Sequence, residues 1–128
     1  MCRQSVYDHG WQEAFRHKWI ESEKQGRDLG QPAIDEWNER HWMSFYRWCR
    51  LLHVTGRCCF HDFKREDFGR LTETDDDVAR EVVRLFCVGK ENVEIYWCAH
   101  VCGWPRERVF HVLLSLDING SRLSPLVA

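Results

Sequence analysis

The most constraining feature of the sequence is a row of large side chains between residues 34 and 52. Its members follow one another at steps of three or four: Ile34, Trp37, His41, Phe45, Trp48 and Leu52. This spacing is typical of one face of an α-helix. A second row lies beside the first and contains Trp42, Tyr46 and Cys49. A helix that is apolar over so wide an arc needs several neighbours, so the spacing predicts a central helix in a multi-helix core.

Burial of the first row is the specific expectation for this helix. We predict that Trp37, Phe45 and Trp48 are mostly buried and that His41 is a hydrogen-bonded core histidine. Ahead of this helix, Trp11, Phe15 and Trp19 recur at i, i+4 and i+8. They predict a first helix over about residues 9 to 25 whose aromatic stripe faces the core.

Turn and capping residues mark the remaining helices. Residues 55 to 71 are predicted to form a loop with one short helical turn, and the hydroxyl and acidic residues from Thr72 to Asp77 suit the start of a third helix ending near Val88. Asn92 suits the cap of a fourth helix that ends near Cys102, and the fifth is predicted from Arg106 to Leu116. The sequence therefore predicts an all-α fold of about five helices around the long Trp-rich second helix. Its length fits a single domain, residues 1–128.

Charge and composition narrow the function classes. The chain has 18 basic and 20 acidic residues, a formal charge of −2, which lacks the basic excess typical of nucleic-acid-binding proteins. No apolar run approaches the roughly 18 to 20 residues of a spanning helix, so no membrane partner is expected. The first five residues lack the apolar stretch of a signal peptide. We therefore interpret the odd number of cysteines, seven, as reduced thiols in a cytoplasmic protein.

Residues near the C-terminus have the spacing of a close helix crossing. Ala99 allows two helices to approach, Gly103 permits a positive φ at a turn, and Val109 fills the crossing. At these spacings residues 95–114 resemble the helix-turn-helix module of bacterial DNA-binding proteins, with the helix pair over residues 92–116. The supporting apolar positions are Cys98, Cys102, Trp104 and Val112.

The resemblance implies a functional face on the second helix of the pair, because that side enters the major groove in DNA readers. That side carries Arg106, Glu107, Phe110, His111 and Leu114, and Arg108 lies at its edge. Arg106 and His111 are the candidate DNA contacts, with Arg108 helping from the edge. Phe110 and Leu114 are apolar, and Glu107 repels phosphate. Three arginines against two acidic residues after position 104 leave a charge of only +1, so docking on protein, or closing the core, is the preferred interpretation.

A zinc site is a further alternative. Its four ligands would be Cys58 or Cys59, together with His61, Cys98 and Cys102. Cys98 and Cys102 also occupy core positions of the helix pair, where cysteine acts as a small hydrophobe, so we expect reduced, metal-free thiols beside Ala99 and Val109. No cofactor is therefore expected.

Catalysis is not expected either. The segment 58–62 contains two cysteines, a histidine and an aspartate, the residue types of thiolate catalysis. The chain lacks a nucleophile elbow, a Gly-rich phosphate loop and a Glu-x-x-His pair.

The aromatic content favours one function over the others. Seven Trp and seven Phe carry more apolar area than one small core readily hides, and aromatic anchors concentrate at interfaces. We therefore expect a non-enzymatic protein-interaction or assembly module that binds another protein or a further copy of itself. The alternatives are a regulator that binds double-stranded DNA and, third, a zinc-binding or redox-active cysteine protein.

Overall fold

This computed structural model describes residues 3–71 and 77–122, most of them in five α-helices. The helices are α1 (Val6–Gln25), α2 (Gln31–Val54), α3 (Asp77–Cys87), α4 (Asn92–Cys102) and α5 (Arg106–Leu116). Short 3-10 helices cover Arg65–Asp67 and Ile118–Arg122. Within the described ranges the β contact is a single bridge between Gln4 and Phe60. The predicted all-α class with a Trp-rich second helix is confirmed.

The start of α1 is tied to a distant loop. The Ser5 hydroxyl accepts a 3.4 Å hydrogen bond from the Asp8 N–H, as an N-cap does. Asp62 adds a second cap, because its carboxylate accepts a 2.6 Å bond from the Val6 N–H and a 3.2 Å bond from the Ser5 hydroxyl. This contact explains why α1 begins earlier than predicted. The helix ends at Gly26, in the left-handed conformation with a φ of 71°.

One other helix end differs from the prediction. Glu91, rather than Asn92, caps α4, in a reciprocal capping box with Glu94 whose carboxylate lies 3.4 Å from the Glu91 nitrogen. The α5 helix ends at Leu116 as predicted, and its C-cap residue Asp117 adopts a φ of 48°. The predicted capping residues 72–76 ahead of α3 lie outside the described part of the chain.

Small residues bring α1 close to α2. The buried side of α1 consists of Val6, Gly10 and Ala14, at i, i+4 and i+8. A Cβ atom added to Gly10 would lie 2.9 Å from the Cζ3 atom of Trp42, closer than real Cβ contacts. The absence of a side chain at Gly10 therefore lets the α1 backbone approach the aromatic surface of α2.

The aromatic stripe of α1 faces away from the core, so the prediction that it is buried is wrong. Phe15 and Trp19 are exposed, and Trp11 is only partly buried. Both rows on α1 have helical spacing, but the row of small residues permits the closer approach. A bulky row facing α2 would hold the two helices apart.

On α2, the second row of large side chains is buried more completely than the first. Trp42, Tyr46 and Cys49 are buried, whereas His41 and Trp48 of the first row are exposed. Ile34 and Trp37 are buried as expected, and Phe45 and Leu52 are partly buried. The predictions of a core histidine at position 41 and of a buried Trp48 are therefore wrong. The neighbouring segments cover the second row and leave these two side chains at the edge of the packed surface.

Two clusters of buried apolar residues share α2. The N-terminal cluster joins α1, α2 and the loop at Phe60: Val6, Ala14, Ile34, Trp37, Trp42, Tyr46, Cys49 and Phe60. The C-terminal cluster joins the end of α2 to α3, α4 and α5, and it includes Val54, Val82, Phe86, Ile95, Ala99, Val109, Val112 and Leu116. The long helix is therefore common to both parts of the core.

Buried arginines on α2 add polar links that the sequence analysis missed. Nη1 of Arg47 donates to the carbonyl oxygens of Phe86 and Lys90, at 2.8 and 2.9 Å, where α3 ends. Nε of Arg50 donates at 2.9 Å to the carbonyl oxygen of Ser115 on α5. Carbonyl oxygens in the last turn of a helix lack partners within that helix, so the bond from Arg50 satisfies a group at the end of α5 that would otherwise need water. The carbonyl oxygen of Phe86 also accepts a 3.1 Å bond from the Gly89 N–H.

Candidate functional site

The turn between α4 and α5 contains the residues that carry the helix-turn-helix resemblance. Ala99 and Val109 are buried in the C-terminal cluster. Gly103 adopts a φ of 71°, and the N–H of Trp104 donates at 2.9 Å to the carbonyl oxygen of Ala99. Pro105 then leads directly into α5. These three positions therefore have the small, left-handed and apolar character that the spacing predicts.

The outer side of α5 carries the predicted face. Phe110 and Leu114 are each 53% exposed, and Arg106 is also exposed. Arg108 and His111 are partly buried at its edges. The opposite side of α5 packs into the C-terminal cluster, so the alternative in which Phe110 and Leu114 close the core is wrong.

The α4 helix extends this face with residues that the sequence analysis did not assign. Val93, Trp97 and Val101 recur at i, i+4 and i+8, and the Trp97 side chain is 66% exposed. Tyr96 lies at the junction, because it lines one depression with Phe110 and Leu114 and another with Val93 and Trp97. Val93, Trp97 and Val101 have helical spacing, but α4 is apolar on its other sides as well, so the spacing alone does not tell which row is exposed. We call the combined surface the C-terminal apolar face: Val93, Tyr96, Trp97, Val101, Phe110 and Leu114.

Charged residues around the C-terminal apolar face balance one another. Along the chain, three cationic and three anionic residues flank this face, besides Glu91, which pairs with the buried Arg47: Lys90, Arg106, Arg108, Glu94, Glu107 and Asp117. Of these, Arg106 and Asp117 line its depressions. Nζ of Lys90 lies 3.3 Å from the carboxylate of Glu94, and Arg106 is next to Glu107 in the chain. The face therefore has large apolar side chains at its centre and no concentration of one charge at its edge.

The four candidate zinc ligands are not brought together. Cys58 packs against the N-terminal cluster and Cys98 against the C-terminal cluster, while His61 is exposed. Over residues 3–71 and 77–122 no group of three or more His, Cys, Asp and Glu side chains could hold a metal ion. Cys102 is exposed in the last turn of α4, so the prediction that it fills the core is wrong.

The cysteines are not all reduced, contrary to the prediction. Cys59 is disulfide-bonded, whereas five others are free: Cys49, Cys58, Cys87, Cys98 and Cys102. An odd number of cysteines excludes only the pairing of all seven, and it allows one bond. Burial raises the pKa of the Cys49 thiol to about 12, and it also raises the pKa of Cys87. A raised pKa disfavours the thiolate that nucleophilic catalysis needs.

Comparisons with protein-family models, with curated proteins and with solved structures found no match. In the described part of the chain, no helix is long and apolar enough to cross a membrane. We therefore infer the function from the surfaces of the protein itself.

Proposed function

We propose that this chain is a non-enzymatic assembly module that docks on protein through the C-terminal apolar face. The observation that carries the proposal is the contiguous exposure of Trp97, Phe110 and Leu114 on two adjacent helices joined by Tyr96. Removing apolar area from water stabilises association by about 25 cal/mol per Å². Trp and Tyr, two of the residue types in this face, are enriched among side chains that dominate binding energy.

The partner that fits this face is a second copy of the chain. Two such faces are both apolar at the centre, and their balanced rims avoid repulsion between like charges. A twofold interface uses the same surface on both subunits, so it requires a face that complements itself. Adjacent opposite charges at Arg106 and Glu107 satisfy this requirement, because each can meet the other across a twofold axis.

Sedimentation measured over a series of protein concentrations tests the proposal. We expect a monomer–dimer equilibrium that depends weakly on salt. Substitutions Trp97→Ala and Phe110→Ala should each weaken dimerisation by about 30-fold, which corresponds to a hot-spot loss of about 2 kcal/mol. Trp19→Ala is the matched control, because Trp19 is an exposed aromatic residue on α1 and should leave dimerisation unchanged. A monomer at every concentration, or equal effects of all three variants, would contradict the proposal.

Duplex DNA is the alternative ligand, because Arg106 is exposed in the first turn of α5. If the face reads DNA, Arg106→Ala should weaken binding and reduce the salt slope by about one, with a smaller effect of Phe110→Ala. Such a result would replace the protein-docking proposal. The neutral rim favours protein, because few counterions would be released from the phosphates.

The cytoplasm is the proposed location. The five free thiols support it, whereas the disulfide at Cys59 is a bond that is rare in a reducing compartment. Alkylation of thiols at the moment of lysis, followed by mass spectrometry, tests this. A reduced Cys59 in protein taken from its own cell would support the cytoplasm, and a disulfide-bonded Cys59 would contradict it.

A further inference from the structure

A cavity between α2 and α3 is separate from the C-terminal apolar face. Its volume is about 180 Å³. The wall is apolar and consists of Trp48, Leu51, Leu52, Leu71, Ala79 and Val83. Thr55, Arg57 and Arg80 complete the lining, and no acidic residue belongs to it among those that the structure describes. An apolar cavity with a few polar groups at its mouth is the usual form of a small-ligand site.

The size of the cavity limits the ligand. An engineered apolar cavity of about 150 Å³ holds benzene, so this cavity has room for one aromatic ring and a short arm. Trp48 is about half exposed on one side of it, and its indole provides a flat surface against which a ring packs. A larger ligand would have to remain mostly in solvent.

Two arginines belong to the lining of the cavity, and one of them is paired with an acidic residue. The N–H of Arg57 donates at 2.9 Å to the carbonyl oxygen of Leu52, which holds the residue at the end of α2. Its guanidinium has no hydrogen-bond or ion-pair partner among the described side chains. Arg80 pairs with Asp77, but both side chains are largely exposed. Such a pair contributes little, so Arg80 is available to a competing anion.

Thr55, the third polar residue of the lining, does not offer its hydroxyl hydrogen to a ligand. The hydroxyl of Thr55 donates at 2.6 Å to the carbonyl oxygen of Leu51 within α2. The groups at the mouth that offer hydrogen-bond donors to a ligand are therefore the two guanidinium groups, and these bind carboxylates through paired, charge-assisted hydrogen bonds.

We propose that the cavity between α2 and α3 binds a small aromatic carboxylate. The ring lies among Trp48, Leu52 and Val83, and the carboxylate accepts hydrogen bonds from Arg57, with Arg80 on the other side. The proposal is independent of dimerisation, because none of these residues belongs to the C-terminal apolar face.

Two probes that differ only in the head group test the proposal by isothermal titration calorimetry. Phenylpropionate and phenylpropanol share the ring and the arm, but only the first has a carboxylate. We expect phenylpropionate to bind at least about tenfold more tightly, the effect of one charge-assisted hydrogen bond. Arg57→Gln should reduce the affinity for phenylpropionate to that for phenylpropanol, and it should leave the affinity for phenylpropanol unchanged.

Matched variants separate the site from nonspecific binding. Arg65→Gln changes an exposed arginine away from the cavity and should leave both affinities unchanged. Val83→Trp fills the cavity and should abolish binding of both probes, in protein whose circular dichroism matches the wild type. Phe110→Ala should have no effect on either probe. Equal affinities for the two probes, binding of neither, or an unchanged preference in Arg57→Gln would overturn the proposal.

Discussion

The guanidinium of Arg50 donates a 2.9 Å hydrogen bond to the carboxylate of Asp67. Both side chains are buried, and Nη1 of Arg70 lies 3.4 Å from the other carboxylate oxygen. Since Arg50 also donates to the carbonyl oxygen of Ser115, this network joins α2, the 3-10 helix and α5. Removal of one partner from such a buried network leaves a charge without compensation.

Asp67→Asn should destabilise the protein strongly. The substitution keeps the shape of the side chain but leaves Arg50 buried without its counter-charge, a change that costs about 3 to 5 kcal/mol. Urea unfolding followed by circular dichroism measures the loss. The control is Asp28→Asn, because Asp28 forms an exposed pair with Lys18 and should cost less than about 1 kcal/mol. Similar losses in both variants would show that the Asp67 network contributes no more than a surface pair.

The same carboxylate makes stability depend on pH. Burial by itself raises the pKa of Asp67, but the hydrogen bond and charge of Arg50, together with Arg70, outweigh burial and hold the pKa below its ordinary value. The unfolded chain therefore binds the proton more readily, so this contribution is present above the ordinary aspartate pKa of about 3.9 and is lost as the pH falls through the folded value. We expect the unfolding free energy to fall more steeply below about pH 4 in wild type than in Asp67→Asn. Parallel curves would contradict this role.

Helix positions were predictable because local signals mark them. The α5 helix has the predicted bounds, Arg106–Leu116, because Pro105 stops the preceding turn and suits the start of a helix. The facing of α1 was not predictable in the same way. Its row of small residues and its row of aromatic residues have equal spacing, so the sequence of α1 alone does not show which row faces α2. Trp42 on α2 occupies the space that a side chain at Gly10 would need, so the row of small residues faces α2.

The candidate site was predictable on α5 and not on α4. Phe110 and Leu114 stand out because apolar residues on the outer side of a helix-turn-helix pair are unexpected in a DNA reader. On α4, the apolar residues surround most of the helix, so the sequence does not separate the exposed Trp97 from the buried Ile95. The roles of Arg47 and Arg50 were missed because arginines are mostly exposed, whereas these two satisfy backbone carbonyls of distant helices.

Gly10→Ala should destabilise the protein although alanine favours helices. The better helix propensity is worth about 1 kcal/mol. The new Cβ atom would lie 2.9 Å from Trp42, whose ring is buried and stacked on Tyr7. Because the ring has no free space, overpacking of about 1 to 3 kcal/mol should exceed the gain. Gln12→Ala, at an exposed position of α1, is the control for propensity alone and should be neutral or stabilising in thermal unfolding. A stabilised Gly10→Ala variant would argue against the close approach of α1 and α2.

The cysteines should differ in reactivity. Without reductant, iodoacetamide should label five cysteines in denaturant, because Cys59 is disulfide-bonded and five thiols are free. In native protein, we expect the exposed Cys102 to react first and Cys49 not to react, because Cys49 is buried and burial raises its pKa to about 12. Peptide mass spectrometry assigns each label. Labelling of Cys49 at the rate of Cys102 would show that the N-terminal cluster opens readily.

Trp37→Ala tests which part of α2 belongs to the core. The Trp37 side chain is 6% exposed and packs against the Phe45 ring, with the two centroids 5.6 Å apart. Truncation should therefore cost about 3 to 5 kcal/mol in urea unfolding, the usual range for a buried aromatic side chain. Trp19→Ala removes the same group from a position that is 65% exposed, and it should change stability by no more than about 0.5 kcal/mol. Because the two substitutions are chemically identical, their difference measures burial alone. Equal losses would mean that the outer side of α1 is covered in solution, and the assignment of Trp19 to the exposed surface would then be wrong.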